Sequence, residues 1–290
     1  MWIKPFITLI LLAPPALAGS LCSMSNLSVE PASTQARYDV FASGAYTLIS
    51  TYRLRANIEG EQCQIPVKLE IDDGDSFLKG EANAQLIFEW QGGNGYQKGN
   101  QWHVVLTENN ADITFQIRYP AQQWLASGIY QGKLEATVLT EQLLNNEYVL
   151  PAVTNIAVTV LPMAKIQFYG LTQQHYELDM GILQSNKVVT SAPKLWIQSN
   201  AGYNLVFEST NRGALRHKSA DTQWDISYDM YLDSKQINLD QANARVSENT
   251  PSKGHAKNMK FIIGDTLNKP GGTYNDVLQI SIEPKLSQQP

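Results

Sequence analysis

The chain has 290 residues, a length that suits two domains of ordinary size. Acidic residues outnumber basic ones, with 27 Asp and Glu against 22 Lys and Arg, and the formal net charge is −5 at pH 7. A nucleic-acid-binding protein needs a basic face for phosphate, so this composition argues against nucleic acid as a partner.

The N-terminus has the three regions of a secretory signal peptide. Lys4 supplies a positive charge, residues 6–13 form a short apolar run, and Ala16-Leu17-Ala18 is a small-x-small cleavage site. The apolar run is too short to span a bilayer. We therefore predict that residues 1–18 are removed during export through the periplasm.

The chain contains two cysteines, Cys22 and Cys63. Disulfides form and persist in exported proteins, so we predict that the two pair and tie the mature N-terminus to a strand at residues 65–71. The alternative is a pair of free buried thiols, which the oxidising compartment disfavours.

Short runs with strand-like composition recur along the chain, and turn signals separate them. The runs are residues 46–56, 65–71, 84–90, 102–106, 113–119, 133–139, 156–160, 194–198, 203–209, 224–232, 259–264 and 277–282. Many short strands at this spacing favour all-β, immunoglobulin-like sandwiches. Proline in Leu161-Pro162-Met163 ends the last strand of the first unit. We therefore predict an N-terminal sandwich over residues 19–161 and a C-terminal one over residues 162–290.

One strand motif occurs twice but is completed only once. It consists of a turn glycine, a tyrosine and later alternating apolar residues: Gly128, Tyr130, Leu134, Ala136 and Val138 in the first copy, and Gly272, Tyr274, Leu278, Ile280 and Ile282 in the second. Another strand-like run, residues 153–160, follows the first copy, whereas a short polar tail follows the second. A sandwich that is one strand short has an unpaired edge, which can accept a strand from another protein. We place the edge of this groove at Tyr274, Leu278, Ile280 and Ile282.

Four segments of the second half share a further pattern. They are YELDMG at residues 176–181, LWIQSNAGYNL at 195–205, ISYDMYL at 226–232 and GGTYND at 271–276. Together they resemble the spore coat protein U domain, a family that includes the subunits of archaic chaperone-usher pili. The resemblance covers roughly residues 165–283, and GGTYND is its most specific part. Many family members have a cysteine where Ser199 stands, so the disulfide pattern of this domain differs from the common one.

The resemblance implies an immunoglobulin-like, pilin-type sandwich that lacks its last strand. A periplasmic chaperone lends that strand, and the next pilus subunit replaces it. Shaft subunits of the family donate through an extension ahead of their first cysteine. Only Gly19, Ser20 and Leu21 lie between the predicted cleavage site and Cys22, fewer than the roughly 5 to 10 residues of a donor strand. We therefore predict a tip adhesin at the cell surface, with the chaperone, the usher and the next subunit as partners.

Signals for catalysis, metal binding or cofactor binding are scarce. The histidines lack the spacing of metal ligands, and no Gly-x-Ser-x-Gly motif is present. The run Asp72-Asp73-Gly74-Asp75 lacks the alternating ligands and the terminal glutamate of a calcium loop, and is typical of a solvated turn. We expect no catalytic residue, no metal and no cofactor.

Aromatic residues near predicted loops of the first half indicate a binding surface. Trp90 and Trp102 are expected in the core, whereas Tyr96, Trp124 and Leu125 are predicted to be exposed and to contact a surface or a host receptor. Two other functions remain open. One is a periplasmic pilus chaperone, against which the incomplete second sandwich and the acidic charge argue. The other is a secreted carbohydrate-binding protein or enzyme.

Overall fold

A computed structural model describes residues 22–33, 36–43, 47–139 and 149–286. Within these ranges the chain forms strands and two single-turn 3-10 helices, Glu81–Asn83 and Thr222–Trp224, and no α-helix. Neither helix is long and apolar enough to span a membrane. The predicted signal peptide and residues 19–21 lie outside the described part of the chain.

The N-terminal half contains two facing sheets. Its strands are β1 (Ser23–Pro31), β2 (Ala36–Tyr38), β3 (Leu48–Glu59), β4 (Ile65–Ile71), β5 (Phe77–Lys79), β6 (Gln85–Ile87), β7 (Glu89–Gln91), β8 (Gly95–Lys98), β9 (Gln101–Leu106), β10 (Asp112–Tyr119), β11 (Gly128–Val138) and β12 (Ala152–Val160). One sheet has the order β1-β3-β10-β7, and the other has the order β2-β12-β11-β4-β9-β8, with β5 and β6 attached at β11. Alternate side chains such as Leu54 and Ile71 are fully buried in one hydrophobic cluster between them.

The C-terminal half repeats this design with smaller sheets. Its strands are β13 (Ala164–Phe168), β14 (Val188–Val189), β15 (Leu195–Ser199), β16 (Tyr203–Ser209), β17 (Ala214–His217), β18 (Ile226–Leu232), β19 (Lys235–Ile237), β20 (Ala244–Glu248), β21 (Ser252–Lys257), β22 (Met259–Ile263), β23 (Tyr274–Asn275) and β24 (Leu278–Pro284). The sheets are β13-β15-β21, β14-β22-β18-β17-β23 and β20-β16-β24, and β19 pairs with β18. They enclose a second hydrophobic cluster that shares no residue with the first. The predicted all-β fold with two sandwiches is thus confirmed.

The predicted disulfide between Cys22 and Cys63 is also confirmed. The two Cα atoms are 5.7 Å apart, within the usual range for a disulfide. The bond links the start of β1 to the residues just before β4, so it closes the N-terminal sandwich at its first strand.

Candidate functional site: an open groove in the C-terminal sandwich

The two copies of the repeated motif have the same local structure. Gly128 and Gly272 have φ angles of 151° and 154°, in a region that favours glycine. Tyr130 and Tyr274 each donate a hydrogen bond from the hydroxyl group to the carbonyl oxygen four residues earlier, at 3.1 Å and 2.7 Å. The chain therefore makes the same turn ahead of the alternating apolar residues of β11 and of β24.

The strands that follow these turns differ in their neighbours. β11 pairs with β12 on one side, from Gly128 opposite Val160 to Ala136 opposite Ala152, and with β4 and β5 on the other. β24 pairs with β16 alone, and its second edge has no strand partner within the described ranges. An edge of this kind presents a row of unpaired backbone N–H and C=O groups.

A second free edge lies close to β24. Among the described residues β13 pairs with β15 alone. Some Cα atoms of β13 and β24 lie within 8 Å of one another, although no ladder of hydrogen bonds joins these two strands. A groove of about 850 Å³ opens beside them. It is lined by residues 272–278 and Ile280, by Phe168 at the end of β13, and by the irregular segment 174–183.

The apolar side chains around the groove are only partly buried. The half-buried apolar residues that pack on the second core are Ile166, Phe168, Leu178, Met180, Leu183, Ala192, Tyr274, Leu278, Ile280 and Ile282. All of them except Ile166 and Ile282 line the groove. Tyr130, Leu134 and Ala136 in the first copy of the motif are at most 2% exposed. The apolar face of β24 therefore lacks the cover that the corresponding face of β11 has.

The predicted groove-edge residues are distributed over two strands. Tyr274 lies in β23, and Leu278, Ile280 and Ile282 lie in β24. No pattern of the sequence indicates the wall formed by segment 174–183. Leu178 and Met180 were the available signal, but two apolar residues without regular backbone pairing are too short a pattern to indicate a wall.

The ionisable groups that line the groove give it an acidic character. Glu177, Asp179 and Asp276 contribute carboxylates, and the lining contains no Lys or Arg. A positively charged ligand group is therefore better matched to this lining than a negative one.

Asp276 also fixes the link between β23 and β24. Its carboxylate accepts hydrogen bonds from the hydroxyl groups of Ser209, at 2.6 Å, and Tyr228, at 2.7 Å, and from the backbone N–H of Asn211, at 2.9 Å. Burial raises the pKa of Tyr228, and the hydrogen bond to the Asp276 carboxylate raises it further. These bonds hold the first turn of the groove edge against the core.

Several solved structures resemble this architecture. One is a chaperone–tip adhesion subunit pre-assembly complex from the archaic chaperone-usher Csu pili of Acinetobacter baumannii, with 15% identity, a TM-score of 0.40 and coverage of 77% of this chain and 85% of that chain. Another is the CupB6 tip adhesin of Pseudomonas aeruginosa, with 10% identity, a TM-score of 0.38 and coverage of 92% and 95%. A third is CfaE, the adhesive subunit of the CFA/I fimbria of enterotoxigenic Escherichia coli, with 11% identity, a TM-score of 0.35 and coverage of 93% and 82%.

All three structures contain pilus or fimbrial adhesins. At these identities the likeness concerns the fold alone. No protein-family model matches the chain, and a search of curated proteins finds no match. The resemblance to the spore coat protein U domain therefore stays a prediction.

The N-terminal sandwich places the three predicted surface residues in different environments. Tyr96 is 60% exposed in β8, and its ring stacks on His103 with centroids 5.4 Å apart. Trp124 is half-buried, and its ring meets that of Phe41 edge to face, with the ring centroids 5.8 Å apart. Leu125 is only 5% exposed, so its prediction as a surface residue is wrong. Its side chain joins the first hydrophobic cluster, where full burial of a leucine contributes about 2 kcal/mol.

Two other expectations concern core and turn residues. Trp90 and Trp102 are 7% and 6% exposed, which confirms their place in the core. The run at residues 72–75 forms the turn between β4 and β5. The carboxylates of Asp72 and Asp75 in this turn form ion pairs with Lys79, so both already have a cationic partner.

Proposed function

We propose that this protein is the adhesive tip subunit of a chaperone-usher pilus, and that its C-terminal sandwich accepts a strand from another protein. The observation that carries the proposal is the free edge of β24 beside half-buried apolar side chains. Leu278 and Ile280 on one wall, and Leu178 and Met180 on another, each have a spacing of two residues. The matching occupant is an extended strand with apolar side chains at alternate positions.

The charge of the groove adds a second property to the occupant. Because the lining contains Glu177, Asp179 and Asp276 but no Lys or Arg, we expect the incoming strand to carry Lys or Arg beside its apolar residues. An exposed ion pair of this kind contributes about 0.2 to 1 kcal/mol, so apolar burial supplies most of the affinity and charge sets the register.

In this proposal a periplasmic chaperone occupies the groove first, and the strand of the next subunit replaces it at the usher. The N-terminal sandwich then remains free to bind a surface or a host receptor. The role is adhesive and involves no catalysis. A pilus chaperone, the alternative within the same system, lends a strand to a subunit instead of accepting one.

The groove is tested by completing the C-terminal sandwich from within the chain. The sequence of β12, Ala152–Val160, is appended after Pro290 through a flexible linker as long as the natural connection at residues 139–151. We call this form the self-complemented variant. It should resist proteolysis and unfold at least about 5 °C higher, because the added strand covers apolar side chains and pairs the edge of β24.

Two substitutions in neighbouring positions of β24 provide the matched control. Ile280→Asp places a charge on the half-buried groove face and should abolish the gain in the self-complemented variant. Gln279→Asp changes an exposed side chain on the other face and should leave the gain intact. Absence of any gain in thermal stability, or equal loss of that gain from both substitutions, would contradict an accepting groove.

The tip position is tested separately. Labelling of native pili should place one copy at the tip, whereas labelling along the shaft would refute the tip role.

A further inference from the structure

One turn, residues 199–202, connects the two strands that pair with the edge strands of the groove. β15, which pairs with β13, ends at Ser199, and β16, which pairs with β24, begins at Tyr203. The two edge strands of the groove are therefore held by strands that meet at this turn.

The same turn holds the segment that joins the two sandwiches. Asn200 is fully buried, and its side-chain Nδ2 donates a hydrogen bond to the carbonyl oxygen of Leu161 at 2.9 Å. Its Oδ1 accepts a hydrogen bond from the backbone N–H of Met163 at 2.7 Å, and its backbone N–H donates to the carbonyl oxygen of Met163 at 3.1 Å. One side chain thus satisfies backbone groups on both sides of Pro162.

The turn also contacts the N-terminal sandwich and the end of the groove edge. The backbone N–H of Ser127, just before β11, donates to the carbonyl oxygen of Asn200 at 3.0 Å. The backbone N–H of Lys285, just after β24, donates to the carbonyl oxygen of Gly202 at 2.7 Å. Four residues therefore join the N-terminal sandwich, the inter-sandwich segment and β24 through hydrogen bonds.

We propose that Asn200 is a positioning residue that couples occupancy of the groove to the joint between the two sandwiches. The inference rests on the proposed function. Strands in a sheet lie about 4.8 Å apart, so a strand paired with both β13 and β24 holds them about 9.6 Å apart. Some of their Cα atoms now lie within 8 Å of one another, so a strand that pairs with both edges along that part would widen the separation there. The widening reaches the turn at residues 199–202 and changes its bonds to Ser127 and Met163.

The experiment compares wild-type protein with the self-complemented variant by amide hydrogen exchange, resolved by NMR. The readout is the exchange rate at Ser127 and Met163, whose N–H groups bond to Asn200. Filling the groove should slow both rates at least about tenfold, because a fixed spacing of the edge strands holds the turn in one position. In Asn200→Ala the thermal gain from the appended strand should persist while the change at Ser127 and Met163 is lost.

Asn204→Ala is the matched control, because its side chain makes no hydrogen bond within the described part of the chain and it lies on β16 close to the same turn. In this variant the appended strand should still slow amide exchange at Ser127 and Met163. If Asn200→Ala does not fold, Asn200→Ser removes the amide that bridges Leu161 and Met163 without burying a charge, and it should reduce the slowing of exchange at Ser127 and Met163. A thermal gain without slower exchange would overturn the coupling and leave the groove intact. No thermal gain in the wild-type background would refute the proposed function itself. Loss of the change in both the Asn200→Ala and Asn204→Ala variants would also overturn the role of Asn200.

Discussion

At the scale of single residues, one covalent bond determines how the N-terminal sandwich begins. Cys22 starts the described chain and Cys63 lies 41 residues further on, buried at 1% exposure. A disulfide across a loop of this length contributes about 4 kcal/mol, mainly by restricting the unfolded chain. The bond therefore stabilises the folded N-terminal sandwich against unfolding.

Replacing one of these cysteines should destabilise the N-terminal sandwich and leave the C-terminal one unchanged. Cys63→Ser should lower the free energy of unfolding of the N-terminal sandwich by about 4 kcal/mol, measured by denaturant titration. The double variant Cys22→Ser with Cys63→Ser serves as the control and should be no less stable than the single one. An unchanged unfolding transition of the N-terminal sandwich would contradict this account, and so would two alkylatable thiols in the unreduced wild-type protein.

At the scale of elements, the two copies of the strand motif use the same glycine in different surroundings. A Cβ atom built on Gly128 meets nothing within 4 Å, whereas one on Gly272 overlaps Nε2 of His217. His217 is 8% exposed and its ring packs 5.0 Å from that of Tyr274. The glycine of the second copy is therefore required for close packing as well as for its φ angle.

Alanine at the two positions should separate these requirements. Gly128→Ala should cost about 1 to 3 kcal/mol through backbone strain alone. Gly272→Ala should cost a further 1 to 3 kcal/mol or so, because His217 must move. Thermal unfolding of the self-complemented variant provides the measurement. Adding His217→Ala should recover part of the loss at Gly272 and none at Gly128, and equal losses at both glycines would exclude a steric role for His217.

The strands with strong alternation could be predicted from the sequence, but the short edge strands could not. The alternating residues of β4, β10 and β11 are buried on one face, so period two indicated them directly. The strand-like runs of the sequence leave out residues 95–98, which form β8. It is an edge strand whose residues are mostly exposed, and a Cβ atom on Gly95 would lie too close to β9. A strand that buries no apolar face leaves no alternation in its sequence.

In the candidate site, too, some parts could be predicted from the sequence and others could not. The second copy of the motif indicated the position of β24, because its apolar period and its tyrosine are local features. Segment 174–183 and the turn at Asn200 have no such pattern, since their roles depend on contacts with distant parts of the chain. Leu125 was misplaced for a related reason. Apolar residues in a loop are either exposed or folded inward, and only the packing around them decides which.

At the scale of the whole molecule, the two sandwiches present different surfaces to a partner. The apolar groove lies in the C-terminal sandwich, and under the proposed function a neighbouring subunit covers it. Attachment then depends on the N-terminal sandwich, where Tyr96 is an exposed aromatic residue stacked on His103. Tyr169 in the C-terminal half has a similar exposure of 57% and also packs on an aromatic ring, that of Trp196.

This similarity allows a matched comparison of attachment. Tyr96→Ala should reduce attachment of piliated cells at least about tenfold without lowering the melting temperature, and Trp124→Ala should act in the same direction. Tyr169→Ala should leave attachment unchanged. Leu125→Ala should instead cost about 2 to 5 kcal/mol of stability, because it empties part of the first core. The adhesive site would have to lie elsewhere if the Tyr96 and Trp124 variants attached as well as the wild type. The same would follow if attachment were lost only at high salt.

The pairing of β24 with β16 also affects how quickly each sandwich is completed. Ala136 pairs with Ala152, which is close to it in sequence, whereas Ser209 pairs with Leu278 and Tyr203 pairs with Pro284. Folding slows as contacting residues become more distant in sequence. When the chain emerges with its N-terminus first, β12 can pair with β11 soon after it is released. One edge of β16 stays unpaired until the chain has emerged as far as residue 284. The strand that borders the groove is thus the last to join, and a folding partner that binds there meets the chain at its slowest step.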